Sequence, residues 1–178
     1  MKKVLVISTS LRTESNSDAL AAAFAKGAME NGNEVEQISL RGKNIQFCCG
    51  CFACHTAGVC AIKDDSIAIV QKMFEADAIA FATPIYYYEM SGQMKTLLDR
   101  ANSLFDSDYH FRDIYLLTAA ADEGAETPKR AEDGLGGWIE CFEKARLAGS
   151  VFAGGVNAMG EIEGHPALEE AFALGKAI

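Results

Sequence analysis

The sequence predicts an α/β fold, with a parallel sheet held between two layers of helices. Short unbroken apolar runs, such as VLVIS at 4–8, read as strands buried on both faces. Between them lie stretches with apolar residues at helical spacing, as crossover helices between parallel strands require. The size agrees: 178 residues, 49% hydrophobic and 23% charged, suit one domain over 1–178 with a full core.

The elements follow in order. VLVIS (4–8) is the first strand. From Asp18 to Asn31, Leu20, Phe24 and Ala28 recur at helical spacing, and Gly32 is positioned as a C-cap. EVEQISL (34–40) is a weaker second strand. Asp64 and Asp65 can cap a helix whose apolar face is Ile67, Val70 and Phe74. AIAFAT (78–83) is the third strand, ended by Pro84, and a helix with Met94, Leu97, Leu98 and Ala101 follows. IYLLTAAA (114–121) is the fourth strand. Trp138, Phe142 and Ala145 mark a helix, SVFAGGV (150–156) the fifth strand, and 166–176 a closing helix. Five such units suggest a five-stranded parallel sheet of the doubly wound, flavodoxin-like order 2-1-3-4-5. In such sheets ligands bind at the carboxyl ends of strands near the switch point, so the loops after strands one, three and four are where chemistry is expected.

The net charge is −9 and the pI about 4.8, with no dense Lys/Arg patch, which argues against nucleic acid and anionic membranes as partners. MKKVLVISTS has too short an apolar run for a signal-peptide core and reads as a buried strand; no run approaches a membrane span. The expected location is the cytoplasm, where cysteines are reduced or metal-bound.

The loop STSLRTESNS (8–17) offers hydroxyls at Ser8, Thr9, Ser10, Thr13, Ser15 and Ser17, the Asn16 amide and the Arg12 guanidinium, then enters a helix. Backbone N–H groups at a helix start, with hydroxyls and one Arg, make a site for a dianion. The alternative is a polar loop in which Ser17 merely caps the helix. Neither a dinucleotide fingerprint nor a P-loop is present. TPIYYYEMSG (83–92) places Pro84 and three tyrosines at a strand end, where amides could meet the polar edge of a planar ring; a dimer contact or a rim of the core is the alternative. A phosphate loop and an aromatic loop adjacent across the switch point suit a mononucleotide with a large flat base, a flavin.

These segments resemble the flavodoxin-like NAD(P)H-dependent FMN reductases. STSLRTESNS resembles their G-S-x-R-x-x-G-N-T phosphate loop. TPIYYYEMSGQMKTLLDR (83–100) resembles their segment over the isoalloxazine ring, GCFACHTAGVCAIKDD (50–65) their cysteine loop, and 154–176 their ending. The nearest branch is the iron–sulfur flavoproteins and their cluster-free relatives. The resemblance implies FMN phosphate held by Ser10, Arg12, Ser15, Asn16 and Ser17. It implies ring contacts from Pro84, Ile85, Tyr86, Tyr87 and Tyr88, with help from Ala120, Ala121 and Asp122. The chain departs at Thr9 and Ser15, where relatives often have Gly.

Cys48, Cys51, Cys54 and Cys60 follow C-x2-C-x2-C-x5-C. Such dense soft ligands suit a [4Fe–4S] cluster or, less often, zinc, and the spacing resembles the compact motif of iron–sulfur flavoproteins. The alternative is a loop of free or redox-active thiols. Cys49 is left over, and Cys141 reads as a small hydrophobe buried in a helix. Asp99 and Arg100 read as a solvated or interface ion pair, Trp138 as core or subunit contact, and His55, His110 and His165 share no ligand spacing.

The expected function is an FMN-dependent oxidoreductase, of the NAD(P)H-dependent FMN or quinone reductase kind, with NAD(P)H as co-substrate and a small acceptor or redox protein as partner. The alternatives are an iron–sulfur flavoprotein electron carrier fed by ferredoxin, and a non-catalytic FMN-binding regulatory module. Exposed tyrosines at 86–88 and the family's habit predict a homodimer or homotetramer.

Overall fold

A computed structural model describes residues 1–178. Five parallel strands run in the order β2-β1-β3-β5-β6: β1 (Lys3–Ser8), β2 (Glu34–Ser39), β3 (Ala78–Tyr86), β5 (Asp113–Ala119) and β6 (Arg146–Ala153). The expected order holds, and one element is added. A two-residue strand β4 (Glu89–Met90) pairs antiparallel with the end of β3. No helix is long and apolar enough to cross a membrane.

Strand alternation builds two cores. Val4, Val6, Ala78, Ala80 and Ala82 face α1 (Asn16–Glu30) and α6 (Ala167–Lys176). Leu5, Ile7, Ile79 and Phe81 face α3 (Ser66–Glu75), α4 (Gly92–Arg100) and α5 (Lys129–Ile139). Helices α1 and α6 approach until glycine is required: a Cβ on Gly27 would lie 2.0 Å from the Phe172 carbonyl oxygen, and one on Gly175 2.1 Å from that of Phe24.

Several boundaries move. α1 starts at Asn16, not Asp18, and its cap is Ser15, whose hydroxyl accepts from the Asp18 amide at 3.1 Å. So Ser17 is not the cap. β6 begins at Arg146 and ends at Ala153, leaving Gly154–Val156 in the following loop. Helix α5 ends at Ile139, so Cys141 lies beyond it and is exposed, not buried. Trp138 is a core-edge residue, tilted against Phe142 at 4.5 Å and stacked on Phe111 at 6.0 Å.

Arg100 corrects the surface reading most sharply. It is 2% exposed and pairs with Asp64 of the loop before α3, not with Asp99. Asp99 is the solvated member, bound to Lys95 at 2.7 Å one helical turn away.

Candidate functional site

The loops after β1, β3 and β5 meet at the carboxyl edge of the sheet, where the chain order reverses. They enclose a cavity of about 130 Å³ lined on one side by Ser10, Arg12, Ser15, Asn16 and Ser17, and on the other by Pro84–Tyr86 and Ala119–Ala121. Ten of the thirteen residues the sequence pointed to for a flavin therefore line one cavity.

The cradle is built by the helix start. Ser10, Ser15, Asn16 and Ser17 are buried, and the first amides of α1 have no intrahelical acceptor by helix geometry. The Ser10 hydroxyl accepts from the Arg12 amide at 3.2 Å, which turns the loop. Neither departure from glycine strains it. Ser15 has an ordinary φ of −73°, and the left-handed residue is Glu14 at 50°. Thr9 is fully buried, its hydroxyl 3.0 Å from both the Ala82 carbonyl and the Ser91 hydroxyl, so it ties β1 to β3 rather than facing the cavity.

Asn16 has a second task. Its Nδ2 donates to the Ala158 carbonyl (3.0 Å) and its Oδ1 accepts from the Ile162 amide (3.3 Å), which commits the side chain to the segment after β6. That segment brings Val156 and Asn157 into the cavity wall, and the Asn157 carbonyl accepts from Arg12 Nη1 at 2.5 Å. The amides of Asn157 and Ala158 lower the pKa of Glu161, which braces the turn. No sequence signal marks Val156 or Asn157; only the fold-back of the C-terminal segment supplies them.

The three tyrosines separate. Tyr86 lines the cavity. Tyr87 is 98% exposed and is not part of this cavity's lining. Tyr88 lines a neighbouring cavity of about 390 Å³ and donates its hydroxyl to Asp122 at 3.1 Å. The Gly124 amide, and after it this hydroxyl, hold the Asp122 carboxyl below its ordinary pKa. Tyr87 and Tyr88 form the two-residue β3–β4 turn with φ of 52° and 66°, a conformation that usually takes Asn or Gly. Bulky residues there carry backbone strain that the surrounding structure has to hold.

A second cavity, of about 410 Å³, is lined by all six cysteines together with Arg100, Trp138 and Phe142. It shares no lining residue with the first. Its loop carries a five-residue helix α2 (Ala53–Ala57) and left-handed residues at Gly50, Phe52 and Gly58. The Ala53 amide, then the Cys49 thiol, lower the pKa of Cys51. Asn102 Nδ2 donates to the Cys54 sulfur at 3.4 Å, and His55 sits between Asn102 and Asp106. Cys48, Cys51, Cys54 and Cys60 share a wall, but no three His, Cys, Asp or Glu side chains are gathered at metal-binding distances.

The profile of the NADPH-dependent FMN reductase family matches residues 2–153. The chain belongs to that family. As a member of the FMN reductases it is 41% identical over 102 residues to an iron–sulfur flavoprotein of Methanocaldococcus jannaschii, covering 57% of this chain and 53% of that one. It is 35% identical over 98 residues to an iron–sulfur flavoprotein of Archaeoglobus fulgidus, covering 55% and 44%. The chain thus spans about half the length of these curated relatives. Among solved structures, an NAD(P)H:quinone oxidoreductase from Methanothermobacter marburgensis superposes with a TM-score of 0.73 at 15% identity, over 98% of this chain and 96% of that one. RosB, with a bound formylriboflavin phosphate intermediate, gives 0.76 at 19% identity, over 99% and 77%. At these identities the structures establish the FMN reductase fold alone.

The cradle suits the phosphate of FMN: buried hydroxyls, helix-start amides and one guanidinium converge on a small cavity. The cysteine wall suits a thiolate-ligated group by the chemistry of its donors.

Proposed function

We propose that this chain is an FMN-dependent oxidoreductase that uses NAD(P)H and delivers electrons to a small acceptor or redox protein. Bound FMN supplies hydride acceptance and onward electron transfer; the chain's residues bind it, orient it and shield it. Ser10, Ser15, Ser17 and the start of α1 hold the phosphate, and Arg12 answers its charge. Asn16 holds the cradle closed by fixing the 158–162 segment. Pro84, Ile85, Tyr86, Ala120 and Ala121 flank the ring, with Tyr87, Tyr88 and Asp122 at its approach. The observation that carries this reading is the single cavity at the switch point, where the hydroxyl cradle and the strand-end loop face each other. Steady-state oxidation of NADH and NADPH with free flavin, a quinone and a ferredoxin as acceptors tests it. Turnover with none of them would refute an enzymatic role and favour a regulatory flavin module.

A second reading is favoured by the cysteine cavity. We infer that Cys48, Cys51, Cys54 and Cys60 carry a [4Fe–4S] cluster, which makes the chain an iron–sulfur flavoprotein. The shared wall of thiols and the relatives' names support it. Iron and sulfide analysis after anaerobic reconstitution tests it: Cys54→Ser should lose the iron and keep FMN, and Cys49→Ser should change neither. Iron-free wild-type protein would refute it. Tyr86 and Tyr88 are half exposed and Tyr87 almost wholly so. We take this patch as the contact with a second identical chain, which sedimentation would reveal.

A further inference from the structure

The cysteine loop has a neck. Its two ends are laced by backbone-to-carboxylate bonds: the Asn44 amide donates to Asp65 (2.7 Å), the Asp65 amide to the Asn44 carbonyl (3.1 Å) and the Gln46 amide to Asp64 (2.9 Å). Arg100 is set into this neck from α4. Its Nη1 donates to the Gln46 carbonyl (2.7 Å) and Asp64 Oδ2 (2.6 Å). Its Nη2 donates to the Ile62 carbonyl (2.9 Å) and Asp64 Oδ1 (3.1 Å). Gln46 stands two residues before the first cysteine of the loop and Ile62 two residues after the last, so one planar guanidinium holds both ends of the segment that carries five cysteines.

A guanidinium has five N–H donors. Four are used in the neck, and the fifth, on Nε, is buried without a partner. Burying an unused donor is unfavourable, so Nε is a group that calls for a partner. Arg100 stands with Cys54 and Cys60 in the wall between the cysteine cavity and a second cavity of about 380 Å³. Cys60 is brought to the guanidinium by the backbone: it stands two residues before Ile62, whose carbonyl Nη2 binds, and it lines both cavities beside Arg100.

We propose that Arg100 is the positioning residue of the cysteine loop, closing its neck with four N–H groups and holding the fifth for the Cys60 sulfur once that sulfur is a charged ligand. This rests on the cluster reading given above. An N–H donated to a ligand sulfur draws charge from it and raises the reduction potential of the group it binds. A lysine keeps the charge but has neither the fork nor the Nε donor, so it cannot do both tasks.

The test uses full-length protein, reconstituted anaerobically with ferrous iron and sulfide. Arg100→Lys is compared with wild type and with Lys95→Ala, a surface control. The paired variant Arg100→Gln with Asp64→Asn removes both charges together, should Arg100→Lys fail to fold. Bound FMN shows that the fold is retained. The cluster's midpoint potential is read by redox titration followed by electron paramagnetic resonance, and the neck by hydrogen exchange of residues 43–65. The expected result is a potential shifted to more negative values in both Arg100 variants. Neck exchange in them should be faster by about tenfold, the size of one charge-assisted hydrogen bond. Lys95→Ala should match wild type. An unchanged potential with faster exchange would reduce Arg100 to a structural clasp and overturn the proposal, as would unchanged exchange with or without iron. Absence of iron in the wild type would instead refute the cluster reading, and with it the Nε assignment, while exchange still judges the neck.

Discussion

Arg100 and Asp64 form a two-pronged ion pair whose side chains are both inaccessible to solvent, with Nη1–Oδ2 at 2.6 Å and Nη2–Oδ1 at 3.1 Å. Removing one partner strands the other charge in the interior. Asp64→Ala should therefore lower unfolding free energy by about 3–5 kcal/mol. Urea denaturation at neutral pH measures this, and a loss no larger than that of a surface pair such as Lys95–Asp99 would contradict it.

The same pair gives acid sensitivity a sign. Burial opposes the Asp64 charge, yet Arg100 and the amides of Gln46 and Ser66 hold its carboxyl well below the usual carboxylate range. Its folded pKa is depressed, so its contribution is full above the unfolded carboxylate value of about 4 and drains away as pH falls below it. The wild-type urea midpoint should fall progressively as pH drops below about 4, and fall less steeply when Asp64→Asn is combined with Arg100→Gln. Parallel slopes would mean that Asp64 is not the group responsible.

At the proposed flavin cradle Arg12 is the only cation lining the cavity. Arg12→Ala should weaken FMN binding by about 1.5–3 kcal/mol, the worth of a charge-assisted bond. Riboflavin, which lacks the phosphate, should lose far less. Fluorescence titration of the apoprotein with both ligands decides, and equal losses would remove the phosphate from this site.

The α1–α6 contact admits no side chain at Gly27, where a Cβ would meet the Phe172 carbonyl oxygen at 2.0 Å. Alanine gains up to about 1 kcal/mol of helix propensity there, but the clash is with backbone, which cannot rotate aside. Gly27→Ala should be destabilised by a net 1–2 kcal/mol or so, within the usual range for overpacking. A thermal melt showing an unchanged or stabilised variant would mean that the helices slide apart at little cost.

What the sequence revealed follows from how local each signal is. Unbroken apolar runs at β1, β3 and β5 and the spacing of Leu20, Phe24 and Ala28 depend on neighbouring residues, and they appear almost where the pattern puts them. β6 is an edge strand whose first residues are largely exposed, so its start at Arg146 follows from pairing with Asp113 rather than from hydrophobicity. The burial of Arg100 depends on a carboxylate 36 residues earlier, and helix-end position alone reads as surface. Ten of the residues expected to meet a flavin line one cavity because strand-end loops must meet at the switch point, whereas Asn157 enters through a fold-back that leaves no local trace. Tyr87 and Tyr88 part for a similar reason: the two-residue turn sends neighbouring side chains to different places, Tyr88 to Asp122 and Tyr87 to solvent.

The central claim is that the cavity between the β1, β3 and β5 loops holds a working flavin. The visible absorption spectrum of anaerobically handled protein, incubated with FMN, desalted and then given NADPH or NADH, tests it most directly. The account predicts retained flavin bands that bleach when the nicotinamide is added. Protein that emerges without flavin, or whose flavin stays oxidised with both nicotinamides, would contradict it.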